Sequence, residues 1–172
     1  MQIEEFSLAG PTDFEVALHA RLTIVRGCDE ALRREICETL PGAFYGFDVV
    51  SRVRWTGRSG ESHTVGPTDA IVPKLTVIHN HQLDTPDRIV DLLTMARVPG
   101  TARAPGLVVL DEPFGDLDAQ QTWECLDLLD RLSSRVQMLV LTEEPCVEAW
   151  AEHRQGAGTL SCIELHPSDS DL

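Results

Sequence analysis

Apolar positions along the chain switch between two rhythms, short β-branched runs and segments with helical spacing. Residues 2–8 alternate weakly and read as an edge strand. Residues 14–18 place Phe14, Val16 and Leu18 on one face of a second short strand. Residues 22–25 are a β-branched run that fits a buried strand. A helix is expected over residues 29–40, with Asp29 and Glu30 in its first turn, Leu32, Ile36 and Leu40 on one face, and Pro41-Gly42 as its stop.

The middle of the chain reads as a strand over 47–55, a turn at 56–60 and a hairpin partner over 61–65. Another β-branched run covers 75–78. Thr85-Pro86-Asp87 offers an N-cap for a helix to about Arg97. The last third alternates most clearly: a strand over 106–110, a helix over 119–132, a strand over 136–141, a helix over 145–152 and a strand over 159–165. Trp123, Leu126, Leu129 and Leu132 are expected on the sheet-facing side of the first of these helices. Apolar strands alternating with amphipathic helices predict an α/β fold whose sheet has a mostly parallel core with flanking helices, plus a small antiparallel hairpin region.

Composition fits one domain over residues 1–172, with a frayed polar tail at 166–172. The 172 residues are 42% hydrophobic and 24% charged, which is globular usage. No apolar run approaches the roughly 18–20 residues that cross a bilayer, and the first ten residues are acidic where a secretory signal is basic. Membrane insertion is therefore not expected, and a cytoplasmic location is. A net charge of −14 repels phosphate backbones and argues against direct DNA binding. Five cysteines without a CxxC pair read as reduced, mostly buried thiols.

The densest chemistry lies at Leu107-Val108-Val109-Leu110-Asp111-Glu112-Pro113. An apolar strand that ends in adjacent acids sets both carboxylates at the carboxyl edge of a parallel sheet, where α/β folds bind ligands. Phe114-Gly115-Asp116-Leu117-Asp118 follows, then a helix and an apolar strand. This stretch resembles the Walker B strand and D-loop of ABC-type ATPases, including SMC and RecN-like proteins, and the resemblance implies a P-loop NTPase-like fold of the ABC ATPase type. It also implies ATP and Mg²⁺ as ligands if the site is functional, Asp111 as the Mg²⁺-associated acid, Glu112 as the catalytic base, and a D-loop of Asp116, Leu117 and Asp118 at a dimer surface.

The same resemblance places residues 22–27 where the strand enters the phosphate-binding loop, whose motif is G-x-x-x-x-G-K-[ST]. Gly27 keeps the first glycine, but Leu32 replaces the second, Arg33 the lysine and Arg34 the Mg²⁺-binding hydroxyl. A Cβ at Leu32 obstructs close backbone approach, a guanidinium is no drop-in for an ammonium, and Arg34 has no atom to offer a cation. No LSGGQ-like signature precedes residue 106. Glu143 stands where the family carries its γ-phosphate-sensing histidine, and Gln82 falls where a Q-loop glutamine belongs.

Two weaker features remain. His79 and His81 at i, i+2 offer two metal ligands without a third at a recognisable spacing. Arg52, Arg54 and Arg58 make a local basic spot on the hairpin, which reads as a solvated or salt-bridged surface rather than a binding site. Two readings of function follow. One is a degenerate ABC/SMC-type head, a regulatory or partner-binding module with little or no ATP hydrolysis that pairs with itself or a related ATPase subunit through the D-loop face. The other is an active Mg²⁺-dependent ATPase with an atypical phosphate loop. A metal-dependent nuclease built on Asp111 and Glu112 lacks any further acid cluster.

Overall fold

A computed structural model describes residues 2–8, 14–45, 51–57, 60–65, 74–79, 106–115, 117–154 and 158–165. Its strands are β1 (Gln2–Leu8), β2 (Phe14–Ala17), β3 (Leu22–Arg26), β4 (Arg52–Thr56), β5 (Ser62–Thr64), β6 (Lys74–His79), β7 (Gly106–Asp111), β8 (Gln137–Thr142) and β9 (Leu160–Glu164). The helices are α1 (Glu30–Phe44), α2 (Ala119–Ser133) and α3 (Cys146–Arg154). Among the described residues, β6-β7-β8-β3-β9 form a parallel sheet and β2-β1-β4-β5 an antiparallel one.

Strand alternation divides the core between the two faces of the parallel sheet. Val25, Leu107, Val109, Leu139 and Leu141 face α1 and the antiparallel sheet, where Ile36, Leu40, Phe44, Ile3, Phe6 and Trp55 complete one cluster. Leu22, Ile24, Val108, Leu110, Met138 and Val140 face α2 and α3, packing on Leu126, Leu129 and Trp150. Because both faces are covered, β7 and β8 read as near-continuous apolar runs, and β3 as one interrupted only by the buried Thr23.

Several expectations need correction. Residues 2–8 are not an edge strand: β1 lies between β2 and β4. A register shift between Ile3 and Glu5 lets Ile3 and Phe6 both be fully buried, and this bulge is what blurs the alternation. Pro41-Gly42 does not stop α1, which runs on to Phe44. Pro41 gives up one helical N–H, and the burial of Ala43 and Phe44 in the core offsets that loss. Trp123 faces outward at 38% exposure; the covered side of α2 is Thr122, Cys125, Leu126, Leu129 and Ser133. The basic spot, by contrast, is the salt-bridged surface expected of it at Arg54, which sits 2.5 Å from Glu5. Of the strand expected over 47–55, the structure gives residues 52–55 within β4; the helix expected over 85–97, the tail at 166–172, and Gln82, His81, Arg58 and Asp116 lie outside the described residues.

Candidate functional site

Parallel pairing of β7 with β8 and of β8 with β3 brings three strand ends to one edge of the sheet. Asp111 closes β7, Thr142 closes β8, and Arg26-Gly27 leads out of β3 toward α1. β6 adds a fourth end, with His79 in register with Asp111. Ligands of open α/β sheets bind at this kind of edge.

The turn from β3 into α1 is short. Gly27, Cys28 and Asp29 span it, and the helix begins at Glu30, so residues 30 and 31 are helical where a phosphate loop would still be arching. Asp29 is the N-cap, and its carboxylate accepts the Leu32 N–H at 2.8 Å. A protein carboxylate thus occupies the helix N-terminus, the place a phosphate would take. Gly27 is required for another reason: its φ is +75°, and a Cβ there would stand 2.5 Å from the Leu165 carbonyl oxygen. The close approach it permits is that of the chain just past β9, which donates the Leu165 N–H to the Arg26 carbonyl at 2.9 Å.

Arg33 lies one turn into α1 and is buried. Its Nε donates to Asp111 Oδ1 at 3.2 Å, and its Nη1 donates to the Cys28 carbonyl at 2.6 Å. The same Nη1 lies 3.3 Å from a carboxylate oxygen of Glu112 and 3.3 Å from one of Glu143. Burial opposes the guanidinium's charge, but Glu112, Glu143 and Asp111 outweigh it and push the pKa above its ordinary value. Arg34 behaves differently: it is exposed and pairs with Glu30 one turn back, at 2.5 Å.

Glu112 has the φ of +47° that side chains rarely adopt. Its N–H donates to the Leu141 carbonyl at 2.9 Å, which folds the residue back across the end of β8. There its carboxylate accepts from the Thr142 hydroxyl at 2.7 Å and from the Glu143 N–H at 2.9 Å. Both oxygens of Glu112 are thus engaged, and Arg33 adds its charge beside the one that accepts from Glu143. Asp118 serves as the N-cap of α2, in a capping box with Gln121.

A cavity of about 550 Å³ opens beside these groups, and its walls carry four acids, Glu30, Glu38, Asp111 and Glu112, against two arginines. The residues do not fit a magnesium-bound triphosphate. The loop has no arch, the helix N-terminus holds Asp29, the Arg33 cation is spent on three carboxylates, and Arg34 offers no metal ligand.

The structure therefore gathers Gly27, Arg33, Asp111, Glu112 and Glu143 at one sheet edge; Arg34 lines the adjoining cavity while paired with Glu30, and Asp118 caps α2. Sequence reasoning missed Thr142, which holds Glu112, and Cys37, which comes near Asp111 and His79. Cys37 lies four residues after Arg33 on the same helix face, and His79 ends an apolar strand as Asp111 does; those were the available signals. Burial pushes the Cys37 thiol up to about 12, Asp111 adding to the shift and Arg33 opposing it.

The SMC head domain from Thermotoga maritima is similar in structure, covering 87% of this chain and 92% of that one, with a TM-score of 0.52 and 15% sequence identity. No family model and no curated protein matches the chain. The likeness shows the fold alone: a P-loop NTPase-like α/β arrangement of the kind seen in that SMC head domain. Among the described residues, no helix is long and apolar enough to cross a membrane.

Proposed function

We propose that this chain is a degenerate head-type module that binds a partner and does not turn over ATP. The observation that carries the reading is the Arg33 guanidinium, held among Asp111, Glu112 and Glu143 at the place where a nucleotide's phosphates would need a free cation. Phosphoryl transfer depends on positioning and on neutralising charge at the β- and γ-phosphates. Here the neutralising charge is directed inward, and the candidate base is tied to Thr142 and Glu143. The partner is a second copy or a related ATPase subunit, met through the D-loop face at residues 116–118.

Arg33 on this reading is an internal plug. Removing a buried partner of this kind leaves acids unpaired and costs about 3 kcal/mol, the low end for buried pairs because Asp111 and Glu112 keep some solvent contact. Arg33→Met should lose that much stability in urea titrations. Calorimetric titration of the unmodified chain with Mg²⁺·ATP should give no chelator-sensitive binding, and steady-state assays no phosphate release. Turnover on the order of one per second, abolished by Glu112→Gln, would establish the active-ATPase reading instead.

A further inference from the structure

Three side chains from three elements converge on the same cavity, and two of them, Cys37 and His79, have no place in the reading above. Cys37 comes from α1, His79 from the end of β6 and Asp111 from the end of β7. Their ligand atoms all lie within 4.8 Å of one another, and His79 Nδ1 is 2.9 Å from Asp111 Oδ2. The register that sets His79 opposite Asp111 is fixed by the parallel ladder between β6 and β7. Cys37 is held on the sheet-facing side of α1 by its neighbours Ile36 and Leu40, both fully buried.

We infer that Cys37, His79 and Asp111 form a binding site for one borderline divalent transition metal, Zn²⁺ by preference, with a fourth position open to water. A thiolate, an imidazole and a carboxylate are the donors zinc takes, and three protein ligands with an open place is a known zinc arrangement. Ligand bonds of that metal imply donor separations of about 3.3–3.8 Å in a tetrahedron. Reaching them requires the His79–Asp111 pair to open slightly and the widest gap to close by about 1 Å. The two oxygens of Asp111 are already divided between partners: Oδ1 accepts from Arg33, and Oδ2 faces His79. Arg33 therefore orients the carboxylate from behind, as outer-shell groups do at metal sites. His79 and the cavity mouth are open to solvent, which gives the ion a way in. A hard cation such as Mg²⁺ prefers all-oxygen ligands and fits this set poorly.

The inference needs neither the presence nor the absence of a nucleotide, so it stands apart from the proposed function. The test is titration of the reduced full chain with Co²⁺ alone, followed by optical spectroscopy. One Co²⁺ per chain should give a thiolate-to-cobalt charge-transfer band and the strong visible bands of a tetrahedral site, and Zn²⁺ should displace it while excess Mg²⁺ does not. Cys37→Ser should lose the charge-transfer band with an unchanged circular dichroism spectrum. His79→Gln, at a half-exposed position, should weaken Co²⁺ binding by at least about 100-fold, the upper end of outer-shell effects, with an unchanged circular dichroism spectrum. The inference is overturned if the unmodified chain gives no such band, if the band survives in Cys37→Ser, or if His79→Gln binds as the parent does.

Discussion

Burial sets the chemistry of the thiols. Cys28, Cys37 and Cys125 are at most 5% exposed, and each is pushed from an ordinary 9.0 up to about 12, with loss of solvation as the largest cause. At Cys125 desolvation is the sole cause, which makes it the cleanest reporter. A raised folded-state pKa contributes stability that is fully present below pH 9 and is lost as pH climbs toward 12. In that window the unfolded chain has released protons that the folded chain still holds. Each such thiol steepens the loss by up to about 1.4 kcal/mol per pH unit. Urea titrations under reducing conditions at pH 8, 9, 10 and 11 should show stability falling above pH 9. In Cys125→Ala the slope should be shallower by about that amount, whatever the variant's baseline stability. An identical slope in parent and variant would refute the assignment.

At the scale of elements, α2 is started by a side chain that the resemblance places on a binding surface. The Asp118 carboxylate accepts the Gln121 N–H at 2.8 Å, and the Gln121 side chain accepts the Asp118 N–H at 3.0 Å. Asp118→Ala should therefore cost about 1 kcal/mol in thermal or urea unfolding, while Asp118→Asn, an equally good cap, should stay within a few tenths. Equal losses in the two variants would mean that the charge, not the cap, matters there. This duality shows where sequence reading reaches its limit. β3, β7 and β8 were legible because strands buried on both faces are apolar or β-branched through most of their length, and Asp111 and Glu112 were legible because they end such a strand. The continuation of α1 through Pro41 was not, since it depends on what Phe44 meets in the folded core. Nor was the turning of Arg33 inward, because its partners Asp111, Glu112 and Glu143 lie at least 78 positions away and meet it only through strand order. The surviving Gly27 invited a phosphate-binding explanation, whereas its nearest demand is the Leu165 carbonyl.

Among the described residues, the two sheets are joined through a shared apolar cluster and through the side-chain amide of Gln137. Gln137, at the start of β8, is buried and reaches from the parallel sheet to the antiparallel one. Its side-chain oxygen accepts the Ile3 N–H at 2.8 Å, and its side-chain nitrogen donates to the Ile3 carbonyl at 2.6 Å and the His19 carbonyl at 2.9 Å. Ile3 sits at the bulge of β1, where the ladder to β4 is interrupted, so the amide supplies pairing that the neighbouring strand does not. Leucine at this position fills much the same volume but leaves a buried donor and two carbonyls to find other partners. A loss of roughly 3 kcal/mol is expected, at 1–3 kcal/mol for each buried group left unpaired and with partial relaxation. The apolar cluster that spans both sheets is continuous from Ile3 and Phe6 to Val109 and Leu139. The sheets should therefore still unfold together: Gln137→Leu should shift the urea midpoint down with one transition and an unchanged slope. Two transitions seen by fluorescence of Trp55 in the antiparallel sheet and of Trp150 under the parallel one, each isolated by replacing the other tryptophans, would show instead that Gln137 is what couples them.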